Sequence, residues 1–197
     1  MEPIWSFEVP VAAFLAFILI GERITGAQIV LIATLIICLV LVGLRERRLN
    51  ASFFLEKGVF IAILGAIFMG GANFFMGWGG RVSDPVMIIF ISDAFIAILC
   101  GIYLFSHGKL ARTFADFKKN MNVLLPMSIS DKVAWLAFVF AMSLAPIAVA
   151  TALSESYIII AVLLGLMINH EKLHSHQKIG LIGAIITAVI LALVTSY

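Results

Sequence analysis

The chain has 197 residues, of which 63% are hydrophobic and 12% charged, with a formal net charge of +2. Soluble domains carry about 25% charged residues, so a water-soluble enzyme is excluded, and almost nothing remains for a soluble domain beside the apolar segments. A charge this small gives no reason to expect a nucleic-acid partner.

A bilayer hydrocarbon core of roughly 30 Å needs about 20 apolar residues per helix. Seven segments meet that need: Pro3–Ile20, Ala27–Leu44, Gly58–Met76, Pro85–Phe105, Met121–Ser143, Pro146–Ile168 and Ile179–Val194. The first run carries Glu2 and Glu8 with no basic residue ahead of it, which is the wrong flank for a cleavable signal peptide. Thr25-x-x-Gln28 reads as a capping box opening the second helix. Cys38 and Cys100 both sit in apolar runs, where they pack as small hydrophobes. Ala62, Ala66 and Gly70 recur every four residues, as do Gly180, Ala184, Ala188 and Ala192; both ladders read as seams for close helix packing. Gly77-Trp78-Gly79-Gly80 reads as an interfacial turn anchored by Trp78. Ser83-Asp84-Pro85 reads as an N-cap followed by a first-turn proline. The longest polar stretch, Ser106–Asn120, is expected to be a connecting loop.

The chain also repeats itself. Val11–Leu44 lies over Ile160–Leu193 at an offset of 149 without a gap. Ala12 meets Ala161, Leu15 meets Leu164, Glu22-Arg23-Ile24 meets Glu171-Lys172-Leu173, Gln28 meets Gln177, and Val40 meets Val189. Five crossings separate the two copies, so they have opposite orientations, and such inverted repeats point to transporters. The helices of Gly58–Ser143 have no counterpart ahead of the first copy. The expected organisation is therefore the last two helices of a first repeat (1–45), a linker loop (46–56) and a complete five-helix second repeat (57–197). That makes an all-α polytopic membrane protein with seven transmembrane helices, part of a ten-helix, five-plus-five parent. A self-contained seven-helix protein is the alternative. DNA upstream of Met1 encoding three further apolar helices would decide between them.

Several stretches resemble a known family. Ser6-Phe7-Glu8-Val9-Pro10 running to Leu19-Ile20-Gly21-Glu22-Arg23 looks like the end of an EamA-type half of the drug/metabolite transporter superfamily. Ala145-Pro146, Leu153-Ser154-Glu155-Ser156-Tyr157 and Asn169-His170-Glu171-Lys172 are similar in the second half. Pro10 sits one residue late, Tyr157 stands where Glu8 predicts a carboxylate, and His170 replaces Gly21. The resemblance implies ten-helix secondary transport of small metabolites, drugs, amino acids or sugars through a central cavity between the halves. No cofactor follows from it. The implied setting is a plasma or inner membrane, with the lipid bilayer and a small-molecule substrate as partners and a homodimer as a candidate assembly.

Ionisable groups inside apolar helices are the candidate site, because a charge at the bilayer centre costs about 3 kcal/mol and usually faces a cavity or a partner. Asp93 lies near the middle of its segment, as does Asp131-Lys132, with Trp135 one turn beyond Asp131. Glu155 stands beside Ser154, Ser156 and Tyr157, and Asn73 is a further candidate near a helix end. The substrate-binding set is thus Asp93, Asp131, Lys132, Trp135, Glu155, Tyr157 and Asn73. One carboxylate would couple to protons or recognise a cation, while Trp135 and Tyr157 supply apolar walls. The competing structural reading pairs Asp93 or Asp131 with Lys132 as glue between helices.

His170-Glu171-x-x-His174 matches H-E-x-x-H, the zinc motif of metalloproteases, so an intramembrane zinc protease is a rival reading. It lies in a connection between membrane helices, and no acidic residue follows Glu171. The first copy, Gly21-Glu22-Arg23-Ile24-Thr25, keeps the Glu-basic-apolar core without either histidine, so the repeat accounts for the motif better. Two arguments about orientation oppose each other. Arg45, Arg47, Arg48, Lys57, Lys109, Arg112, Lys118, Lys119, Lys172 and Lys178 share one face against Arg23 and Arg81 on the other. The positive-inside rule puts the first set in the cytoplasm and the C-terminus outside, whereas the resemblance implies a cytoplasmic C-terminus. A reporter fused after Tyr197 discriminates between them.

Overall fold

The computed structural model describes residues 6–43, 57–168 and 173–195. Every regular element among them is an α-helix, as expected where lipid leaves backbone groups no partner outside the segment itself. In chain order they are α1 (Glu8–Ile20), α2 (Gly26–Gly43), α3 (Lys57–Val82), α4 (Pro85–Ser106), α5 (Leu110–Lys119), α6 (Met121–Leu144), α7 (Ile147–Ser154), α8 (Tyr157–Ile168) and α9 (Ser175–Thr195). Six stretches of the described chain are long and apolar enough to cross a membrane: α2, Phe60–Val82 of α3, α4, α6, the α7–α8 stretch Ile147–Ile168, and α9. At 13 residues, α1 spans only about 20 Å. The start expected for it at Pro3 lies outside the described residues.

Three expectations are corrected. Gly77–Gly80 is not a turn but the continuing body of α3. The glycines serve close approach instead: a Cβ on Gly79 would lie 2.8 Å from Cδ1 of Ile88, and one on Gly80 would lie 2.9 Å from Cγ1 of Val139. Ser106–Asn120 is not a plain loop, since Leu110–Lys119 forms α5. Finally, Pro146–Ile168 is interrupted. Glu155 and Ser156 form a turn between α7 and α8, held by short-range bonds from Ile158 N–H to Glu155 O (3.2 Å) and Ile159 N–H to Ser156 O (3.0 Å).

The chain divides into two compact units, Met1–Phe75 with Ala145–Tyr197, and Met76–Leu144. The first is built on α2 and α9. The buried face of α2 carries Gln28, Ile32, Leu35, Leu39 and Val42, and that of α9 carries Gln177, Gly180, Leu181, Ala184, Thr187 and Leu191. Spacings alternating between three and four make a heptad-like seam. The two helices run antiparallel. Gln28, at the start of α2, donates its amide to Thr195 Oγ1 at the end of α9 (3.2 Å), and Gln177, at the start of α9, donates to Val42 O near the end of α2 (3.0 Å). Each glutamine also accepts from the backbone N–H three residues before it, Thr25 and His174 respectively, both at 2.9 Å. With Gln28 N–H bonded to Thr25 Oγ1 (3.3 Å), the capping box read from the sequence is complete.

The bonds that Gln28 and Gln177 accept are related by the 149-residue offset, and so is a turn ahead of a helix. Ser6–Phe7 forms a turn before α1 as Glu155–Ser156 does before α8, and the Val9 N–H to Ser6 O bond (3.3 Å) is the counterpart of Ile158 N–H to Glu155 O. Cys38 packs on the seam between α2 and α9, with its sulfur where a Cβ on Gly183 would meet it at 2.7 Å. Cys100 is exposed on α4. The α9 ladder is buried at Gly180 and Ala184, half-buried at Ala188 and exposed at Ala192.

In the second unit, Asp84 caps α4 as its sequence predicts, its Oδ1 accepting from Val86 N–H (2.8 Å) and Met87 N–H (3.3 Å). Arg81 Nε donates to Met142 O (2.9 Å), one of the last carbonyls of α6, where a cation also complements the helix dipole.

The α2–α9 seam is directly testable. A Cβ at Gly180 would lie 2.8 Å from the carbonyl oxygen of Cys38 and 2.9 Å from Cβ of Leu41, so backbone must move to admit any side chain. Gly180→Leu is expected to destabilise the detergent-solubilised protein by at least about 1–3 kcal/mol, seen as a lowered melting temperature. Ala192→Leu, on the exposed end of the same ladder, should leave the melt unchanged.

Candidate functional site

In the first unit, polar side chains converge where the helix breaks meet α3. The buried face of α3 there is Ala66, Gly70, Asn73 and Phe74. Gly70 is needed for the approach, since a Cβ would lie 2.6 Å from Glu8 O. Asn73, only 1% exposed, donates its amide to Glu8 Oε1 at 3.1 Å. Glu8 in turn shares a hydrogen bond with the Glu155 side chain. Both carboxyls are buried. Ser6 Oγ, Ser156 Oγ and Asn73 Oδ1 are buried around the pair with no hydrogen-bond partner among the described residues. Such groups are uncommon. They give this cluster spare capacity to hold a proton, a water or a cation.

In the second unit, Lys132 Nζ lies 2.8 Å from Asp93 Oδ1 and 3.8 Å from Asp131 Oδ2. All three stand near the middle of α4 or α6, and all stay accessible, with side-chain exposures of 50% for Lys132, 41% for Asp93 and 55% for Asp131. The Lys132–Asp93 pair expected as interhelical glue therefore forms, yet it is not sealed into a core. Trp135, half-buried, stacks edge-to-face on Phe138 with centroids 5.8 Å apart.

The structure thus brings the expected residues together in two sets, Asn73 with Glu155, and Asp93 with Asp131 and Lys132. Asn73 is not near a helix end, because α3 continues to Val82 and leaves it well inside the helix. Tyr157 opens α8 with half of its surface exposed. Glu8 and Ser6 were missed as site residues. Their signal was present in the repeat, since Ser6 aligns with Glu155 at the 149-residue offset. An open groove of about 850 Å³ between α1 and α3 is walled by aliphatic and aromatic side chains such as Phe7, Phe14, Phe68 and Phe75. It presents no charged group.

Glu22, the acid of the repeated Gly-Glu-Arg turn, has a structural task. Gly21 ends α1 with φ 66°, and Glu22 N–H bonds back to Ala16 O at 3.1 Å, a glycine-dependent helix stop. The carboxylate then accepts from Ile147 N–H at 2.8 Å and so caps the first turn of α7 from a distant part of the chain. His170 and Glu171 of the H-E-x-x-H motif lie outside the described residues; His174 stacks on His176 with ring centroids 5.7 Å apart. Glu22→Ala is expected to cost about 1 kcal/mol of stability, read as a lowered melting temperature. Glu22→Gln, which keeps an acceptor oxygen, should recover most of that loss.

No curated protein and no solved structure matches the chain. A model of the EamA-like transporter family does, over residues 56–193. That span covers most of the chain and takes in α3 to α9 with both charged and polar clusters except Glu8 and Ser6. Together with six stretches apolar enough to cross a bilayer, it makes this chain a multi-pass membrane protein that belongs to the EamA-like transporter family.

Proposed function

We propose that the chain works as a secondary permease, moving a small metabolite or drug across a cell membrane by alternating access between two inverted halves of a ten-helix arrangement. The antiparallel α2–α9 pair supports inverted halves: its two bridging donors, Gln28 and Gln177, stand 149 residues apart, and each accepts from the N–H three residues before it. Transport as such is the family's activity.

The observation that carries the substrate reading is the accessible Asp93–Lys132–Asp131 cluster in mid-helix. Charges at that depth are tolerated where they line a wetted cavity or meet a partner, and these three are only partly covered by one another. In the proposed mechanism Asp93, Asp131 and Lys132 exchange their mutual contacts for a polar or charged substrate, with Trp135 as an apolar wall. Asn73, Glu155 and Tyr157 form a second proposed set, within the first unit. There the Glu8–Glu155 pair is the coupling group, gaining or losing a proton as the site is exposed to either side.

Neutralisation tests both roles in reconstituted vesicles. Asp93→Asn, Asp131→Asn and Glu155→Gln are each expected to abolish or uncouple transport while leaving membrane insertion intact. Wild-type transport in all three variants would overturn the assignment. Glu8→Gln keeps an acceptor for Asn73 but removes one carboxyl. Its transport is expected to lose dependence on an imposed pH gradient, and an unaltered response would leave the pair without a coupling role.

A further inference from the structure

The connection between α4 and α6 carries chemistry that neither polar cluster uses. In α5, Leu110, Phe114 and Phe117 recur at i, i+4 and i+7 and share one face, while Arg112 and Lys119 lie on the other. The whole helix is exposed, and its apolar face stays largely open, with exposures of 48%, 63% and 37% for the three side chains. α5 also has nowhere to go. His107–Lys109 is all that joins it to α4, a reach of about 10 Å at full extension, and Asn120 alone joins it to α6. Both neighbours are long and apolar enough to cross the bilayer, so α5 is held at the membrane face.

We propose that α5 is an interfacial helix that binds anionic phospholipid headgroups while its Leu110-Phe114-Phe117 face enters the acyl boundary. Lys109, Arg112, Lys118 and Lys119 stand against a single acid, Asp116, which lies 4.0 Å from Arg112. The excess is positive and fits a negatively charged leaflet. Lys118 Nζ sits over the Phe114 ring, 5.6 Å from its centroid, so a cation stands at the edge of the apolar face. A basic side chain placed so at the edge of an apolar stripe suits a helix lying in the interface plane.

The test uses the full chain reconstituted into vesicles of zwitterionic phospholipid, with and without admixed anionic phospholipid. Hydrogen exchange of the 110–119 amides is the readout, with α4 and α6 as internal controls of folding. Exchange in α5 is expected to slow when anionic lipid is present. The K109Q/K118Q/K119Q variant should lose that slowing, by up to about fivefold per charge removed, and Phe114→Ser should exchange faster in both vesicle types. Equal exchange of the unaltered protein in the two vesicle types would overturn the proposal, as would slowing that persists in the charge variant. Full protection in zwitterionic vesicles, indifferent to the charge variant, would assign the face to a protein neighbour and equally overturn it.

Discussion

Two apolar helices gain no hydrophobic stabilisation by meeting in lipid, so the first unit depends on what else can draw α2 and α9 together. Close backbone approach at Gly180 lets dispersion contacts accumulate. Buried amide bonds from Gln28 and Gln177 add to it, since leaving either group unpaired in an apolar setting costs about 1–3 kcal/mol. The remaining helices of the unit build outward from this pair: Val149 and Ala152 of α7 and Ile158 and Ile159 of α8 join one buried cluster with Leu35, Leu39 and Leu191. Even Glu22, which could be mistaken for a reactive acid in the sequence, is consumed in holding α7 to this assembly.

Position decides which polar groups are structural and which are available for chemistry. Asp84 and Glu22 stand at helix starts, where unpaired N–H groups demand an acceptor, and both are used there. Glu8 and Glu155 stand at the turns before α1 and α8, and Asn73 meets Glu8 from within α3. Asp93, Asp131 and Lys132 sit within unbroken helices, where the backbone needs nothing from them.

The features that were legible in the sequence are the local ones. Six of the seven expected spans, the Thr25–Gln28 box and the Asp84 cap all depend on residues within one or two turns of each other. The repeat was legible because both copies meet the same packing demand with the same residue types. The Gly77–Gly80 run was misread because glycine serves two opposed ends, freeing a turn and admitting a neighbouring helix, and only Ile88 and Val139 reveal which applies. α5 was hidden because its apolar face is three residues wide, too little to register against such apolar surroundings. Glu8 reads in the sequence as a flanking charge and as part of the Ser6–Pro10 stretch, not as a site residue. Its significance rests on Asn73 and Glu155, 65 and 147 residues away, and no spacing rule connects residues that far apart.

The paired glutamines have a mechanical consequence. Gln28 and Val42 mark the two ends of the α2 seam, about 21 Å apart along the helix, and each end is fastened to the opposite end of α9. A rod pinned at one point can pivot, whereas a rod pinned at two cannot scissor against its neighbour without breaking a bond. α2 and α9 therefore resist scissoring as a pair, and the turns at Ser6–Phe7 and Glu155–Ser156 lie outside that pinned length.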